Sequence, residues 1–308
     1  MSPISEFVMV TIKKIKLKEE EDMKKRELLF LMANYLEALV HNDPGRVPMA
    51  ANCKATYQGT QAPLGSGEIW GLPRRIPYRQ SFVDDVTNTV VFSGVVTNNI
   101  SARVVEVQKL PMGNHGPQKW WIYFARLTVN DEGKVIEIEE IARKETGAGM
   151  DVRPVDMTPP RILESPIAED ARSSRKEMIK IAAQYWDGVN KLIDPDIVPM
   201  HPDARLYEVG TPVTDEMFHP NSMKTNYITP RFKWDCIKRR YPIVDEVTGI
   251  CISTNHMIAQ EPSSPTGYVT DIFKIEYGLI KYIYAFHDHD ITFVDWEGDG
   301  PQTSAECD

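Results

Sequence analysis

The chain has 308 residues, 42% of them hydrophobic and 26% charged, with a formal net charge of −9. That is enough chain for two ordinary cores and a normal composition for a globular protein. The acidic balance argues against a nucleic-acid or anionic-membrane binder, since both need a basic patch. No run approaches the ~20 apolar residues of a membrane-spanning helix.

At the N-terminus, MSPISEFVMVTIKK places its charges after its apolar residues, whereas a secretory leader needs them before. KKIKLK (13–18) is cancelled at once by EEED (19–22), so residues 1–22 read as a solvated arm or helix start. Residues 20–42 then show helical periodicity through Met23, Leu28, Leu29, Leu31, Met32, Tyr35, Leu36 and Leu39. Asp43-Pro44 ends it, because proline pushes the residue before it out of the helical region. NCKATYQGT (52–60) reads as a strand and GSGEIWG (65–71) as a turn-rich segment. TVVFSGVVT (89–97) and WWIYFARLTV (120–129) are rich in β-branched and aromatic residues and read as strong strands. PMGNHGPQ (111–118) is a Gly/Pro-rich loop placed to lid a pocket. Residues 127–145 form a hairpin with its turn at Asn130–Gly133, and alternation with Glu137 and Glu139 predicts a sheet with one wet face.

Residues 147–168 carry four prolines and no periodicity, and read as a linker. A second helix runs from Ser173 or Ser174 to about Leu192, and strands follow at 203–211, 248–259, 268–277 and 278–286. The tail from Glu297 has no apolar content and is expected to be disordered. Cys53, Cys236, Cys251 and Cys307 have neither disulfide nor metal spacing, which fits a reducing cytoplasm.

The halves repeat each other. VDDVTNTVV (83–91) returns as VDEVTGICI (244–252), and DPGRVPM (43–49) as DPDIVPM (194–200). NYLEALVHN (34–42) has a counterpart in QYWDGVNKLI (184–193), and NCKATYQGT in DARLYEVGT (203–211). The matches keep their order, so the chain reads as a duplicated domain: an arm (1–22), a first unit (23–146), a linker (147–172), a second unit (173–296) and a tail (297–308). A long helix followed by antiparallel strands makes each unit α+β.

The helix with its tyrosine, the DPxxVPM break, NCKATYQGT, GSGEIWG, VDDVTNTVVFSGVV and the hairpin ending KVIEIEEIAR resemble the NTF2-like superfamily, the SnoaL-like and ketosteroid-isomerase-like cone folds. The likeness covers nearly all of residues 24–295. In the second unit MFHPNSMKTNYITPRFKW (217–234) stands where GEIWG is expected. The resemblance implies a curved sheet wrapped on N-terminal helices around an apolar cavity. It implies two tandem cones paired through the outer faces of their sheets as an intramolecular pseudo-dimer, monomeric or in a homodimer. Its members include cofactor-independent isomerases, dehydratases and cyclases acting on apolar small molecules, and also non-catalytic carriers and interaction scaffolds. The expected activity is therefore a cyclase, isomerase or dehydratase of natural-product biosynthesis, with pericyclase-type cyclisation included, needing no cofactor. The rival is a carrier or scaffold.

Such chemistry needs a positioned acid or base in a dry pocket. The catalytic candidates are Tyr57 and His115 in the first unit and Tyr207, Asp245 and His256 in the second, with His256 foremost. The substrate-binding candidates are Trp70, Trp121, Tyr123, Tyr185, Trp186, Tyr227, Trp234 and Tyr268. Asp84, Asp85, Asp245 and Glu246 fall in the repeated turn, which favours a structural role for them. The second unit, which departs further from the pattern, is expected to be the active one. HDHD (287–290) places two imidazoles on one strand face, but no third ligand is signalled, so it reads as a polar strand end rather than a metal site. Nucleotide-binding and hydrolase motifs are absent from the sequence.

Overall fold

The computed structural model describes residues 3–98, 120–144, 161–190, 193–194, 197–208, 211–212, 234–261, 266–288 and 291. The expectations for His115, Tyr227, His289, Cys307, most of the Pro-rich linker and the C-terminal tail lie outside these residues.

Helix α1 (Pro3–His41) starts well before residue 20, where apolar periodicity begins. Lys, Glu and Leu in the 13–22 run are strong helix formers. Leu28, Met32, Tyr35, Leu36 and Leu39, spaced three and four apart, are its buried face. The helix ends at Asn42, whose positive φ of 54° turns the chain into Asp43-Pro44.

Six strands follow: β1 (Met49–Tyr57), β2 (Thr60–Gln61), β3 (Arg75–Asp84), β4 (Thr89–Thr97), β5 (Trp120–Val129) and β6 (Val135–Lys144). They form one sheet in the order β2-β1-β6-β5-β4-β3, antiparallel except for the β1–β6 pair. Helix α2 (Arg161–Glu164) is a single turn, and α3 (Arg175–Val189) is the second long helix. Ser174 and Glu177 cap α3 reciprocally, each side chain taking the other's backbone N–H. The second sheet holds β7 (Met200–Glu208), β8 (Thr211–Pro212), β9 (Trp234–Asp245), β10 (Ile250–Ala259), β11 (Gly267–Glu276) and β12 (Leu279–Asp288). Its order is β8-β7-β12-β11-β10-β9, and β7–β12 is again the parallel pair. The molecule is thus α+β, with two mixed sheets of one topology. β3 and β9 were not read as strands from the sequence: RIPYRQSFVD and WDCIKRRYPIVD each carry proline and two or more cations, which mask their alternation.

The repeated nine-residue segment is one hairpin turn built twice. Asp84 Oδ1 accepts from the backbone N–H of Val86 (3.1 Å) and Thr87 (3.2 Å). Asp245 Oδ1 accepts from Val247 N–H (3.1 Å) and its Oδ2 from the Thr248 hydroxyl (2.8 Å). Each turn closes on a left-handed residue, Asn88 (φ 52°) or Gly249 (φ 67°).

Three apolar clusters hold the fold. One packs α1 on the first sheet, one packs α3 on the second, and the third lies between the sheets. The inter-sheet cluster joins Tyr78, Phe82, Val91 and Phe124 of the first sheet to Ile243, Ile252, Ile272 and Tyr284 of the second, with Leu163 of α2 among them. This corrects the wet-face expectation. Glu139 is wholly buried, because the second sheet covers that face and arginines neutralise the carboxylate. Among the described residues no helix is long and apolar enough to cross a membrane.

Candidate active site

Strand β6 alternates between two environments. Ile138, Glu140 and Ala142 face α1, while Glu139 and Ile141 face the second sheet. Glu140 is therefore a carboxylate in the apolar phase of its strand. Its Oε1 accepts hydrogen bonds from the Tyr35 hydroxyl on α1 (2.6 Å), the Tyr123 hydroxyl on β5 (2.6 Å) and the Trp70 indole N–H (2.9 Å). The two tyrosine oxygens are 2.8 Å apart. The Trp70 ring meets Tyr35 edge-on, with centroids 6.0 Å apart. All four side chains are buried.

Three elements deliver these groups. Tyr35 lies on the buried stripe of α1. Tyr123 is paired with Ala142, so it shares the inner face with Glu140. Trp70 sits in the turn after Gly67, where an added Cβ would lie 2.6 Å from the Tyr57 ring. The glycine thus lets Tyr57, the β-partner of Glu140, lie against that turn.

Burial pushes the Glu140 carboxyl above its ordinary value, and the hydrogen bonds from Tyr123, Tyr35 and Trp70 only partly offset it. Burial and the Glu140 charge push both tyrosines well above their usual range. Proton counting gives the same direction. Three mutual O···O contacts of 2.6–2.8 Å need three hydrogens, and two phenols supply two. A proton on Oε1 completes the ring, Oε1 then donating to one phenol instead of accepting from it, with Trp70 still donating from outside.

Glu139, the next residue, behaves oppositely. Burial alone would raise it, but Arg240 and Arg126, with hydrogen bonds from Arg240 and Tyr268, hold it at about 2. Its Oε1 accepts from Arg240 Nη2 (2.7 Å) and the Tyr268 hydroxyl (2.7 Å), and its Oε2 from Arg240 Nη1 (2.9 Å) and Arg126 Nε (3.0 Å).

The structure brings Trp70 and Tyr123 to the Glu140 cluster, places Trp121 in the same core and packs Tyr57 against it. It distributes the other expected residues elsewhere. Tyr207 stacks on Tyr282, centroids 5.2 Å apart, beside the inter-sheet core. Tyr268 lies between the sheets on Glu139. His256 is buried in β10, in the strand phase of Ile252, which faces the inter-sheet core. Asp245 closes the repeated turn. Tyr185 and Trp186 pack under the second sheet, where the Trp186 indole N–H donates to Ser253 Oγ (2.8 Å), and Trp234 borders that core. The polar groups there include an Asp187–Arg239 ion pair at 2.6 Å.

Among the described residues the tyrosine–carboxylate arrangement occurs in the first unit and not in the second, which was expected to be the active one. The strand registers make Ala285 the counterpart of Glu140 and Val269 that of Tyr123. Sequence reading missed Glu140 because it follows Glu139. The available signal was the broken alternation in IEIEEIA, where the second glutamate falls in phase with Ile138 and Ala142. Among the described residues no group of three or more His, Cys, Asp or Glu is placed to hold a metal.

The family described as "Domain of unknown function (DUF8021)" matches residues 171–287. That stretch runs from just before α3 to the end of β12, which is the second helix–sheet unit. A phenazine biosynthesis-related protein from Pseudomonas aeruginosa, known as a crystal structure, is similar at 14% identity, with a TM-score of 0.26, over 38% of this chain and 82% of its own. No curated protein matches the chain.

Proposed function

We propose that the chain is a tandem pair of NTF2-like cones whose first unit is a cofactor-independent acid–base enzyme acting on a small, largely apolar molecule. The observation that carries this reading is the Glu140 oxygen held by two phenols and an indole inside an apolar core. A carboxyl moved upward by burial is suited to take and return a proton, and phenols beside it are suited to polarise a carbonyl or hydroxyl. Enolisation, isomerisation, dehydration and acid-assisted cyclisation all fall within this chemistry. In enolisation Glu140 takes the proton from the carbon next to a carbonyl, a phenol stabilises the enolate oxygen, and Glu140, after exchange of that proton with solvent, returns a proton to carbon. The cone assignment is supported by the order helix, short strand pair, long antiparallel strands in both units, and by a helix packed on one sheet face while the other face meets the second sheet.

A carrier or scaffold is the second reading. Scaffolding in particular is favoured by the fact that Trp70, Trp121 and Tyr123 themselves fill the interior.

Incubation with cyclic ketones in D2O separates the two. An enzyme of this kind washes deuterium into the position next to the carbonyl, read by mass spectrometry, and Glu140→Gln binds the ketone but loses the exchange. Ketone binding with equal, background exchange in both proteins sinks the catalytic reading and leaves the carrier.

A further inference from the structure

A second polar site lies between the two units and takes no part in the Glu140 chemistry. A cavity of about 330 Å³ opens there, lined by Arg126, Arg175, Arg240, Thr89, Thr128 and Glu137 together with apolar side chains. Its floor is the Glu139 cluster, in which one carboxylate serves two nearly buried guanidinium groups. Glu137 joins the cluster from the rim: its Oε2 accepts from Arg126 Nη1 at 2.7 Å, and its side chain is 33% exposed. The Thr128 hydroxyl also accepts from Arg126 Nη1, at 3.0 Å. Arg175 stands on the facing wall, held by Asp84 at 2.7 Å and 28% exposed.

The second sheet shows that this face does not need charge. In register, Arg126, Glu137 and Glu139 correspond to Ile272, Tyr282 and Tyr284, which pack in the inter-sheet core. The same topology thus joins sheets with apolar groups, and a buried ion cluster is a poor adhesive beside them because of its desolvation cost. A cleft between units with converging guanidinium groups and hydroxyls has the form of a ligand site.

We propose that this cleft binds a small oxyanion, the carboxylate or phosphate group of a metabolite. The anion is held by Arg126 and Arg175 and hydrogen-bonded by Thr89 and Thr128. The rim carboxylate of Glu137 occupies its place in the free protein and swings out on binding.

Calorimetric titration of the full chain with inorganic phosphate, and separately with succinate, tests this at fixed ionic strength and tells the two sources apart. The expected result is saturable binding of one of them. Arg175→Gln weakens it about tenfold or more, the scale of one lost charge-assisted pair. Glu137→Gln tightens it, since the resident competitor is removed. That gain is not expected of a residue that only supports the fold, and it keeps the test sound should Arg175→Gln fold poorly. Absence of saturable heat with both probes, or a Glu137→Gln protein that binds no better than the parent, overturns the proposal.

Discussion

Glu139 and Glu140 are consecutive on β6 and answer to opposite environments: two arginines hold the first at about 2, and burial beside two phenols pushes the second upward. Strand pleating separates them, because adjacent side chains point to opposite faces. One carboxylate joins the two sheets and the other lies in the first unit's core on the two phenols.

Glu139 makes the molecule acid-sensitive. Its carboxyl lies below the ordinary value of 4.5, so its contribution is fully present above pH 4.5 and lost as pH falls toward 2. The shift corresponds to roughly 3 kcal/mol. Glu139→Gln removes the carboxylate that two buried guanidinium groups share and is expected to cost about 3–5 kcal/mol at neutral pH. It also flattens the acid limb of the stability curve, measured by urea unfolding between pH 2 and 7.

For Glu140 the sign reverses. A folded-state value above the unfolded one means the folded chain holds the proton longer, so stability declines as pH rises from the unfolded value through the raised one. Glu140→Gln removes that decline. Melting curves from pH 4 to 9 are expected to show the variant gaining on the parent as pH increases. A constant difference across that range contradicts the raised carboxyl.

Tyr35 and Tyr123 share one acceptor and touch each other, so their contributions are coupled. Tyr35→Phe and Tyr123→Phe are each expected to cost about 1–2 kcal/mol, the scale of a buried hydrogen bond. The double variant departs from additivity by at least ~0.5 kcal/mol in a double-mutant cycle, because each substitution alone leaves the ring incomplete.

The two copies of the repeated turn respond differently to substitution. Gly249 has φ 67°, and an added Cβ there meets the Ile275 carbonyl oxygen. Gly249→Ala is expected to destabilise by ~1–3 kcal/mol. Asn88, also left-handed at φ 52°, tolerates glycine at that position, so Asn88→Gly stays within about 0.5 kcal/mol of the parent. Chemical denaturation of both variants checks the contrast.

Much of the architecture was legible in the sequence. The doubled VDxVT and DPxxVPM segments marked two units of one topology, because turn chemistry and proline act locally. Tyr35, Leu36 and Leu39 declared the buried face of α1 by spacing alone. The alternation of β6 declared a two-faced strand. What lay across each face was decided only by tertiary structure. The second sheet converts the face of Glu137 and Glu139 from solvent to interior, and Arg240, about a hundred residues later in the chain, arrives to neutralise it. Tyr35, Trp70, Tyr123 and Glu140 come from four separate segments, and no local pattern encodes their meeting. Periodicity records which side of an element is buried, whereas hydrogen bonds of 2.6–2.9 Å depend on where the elements finally pack.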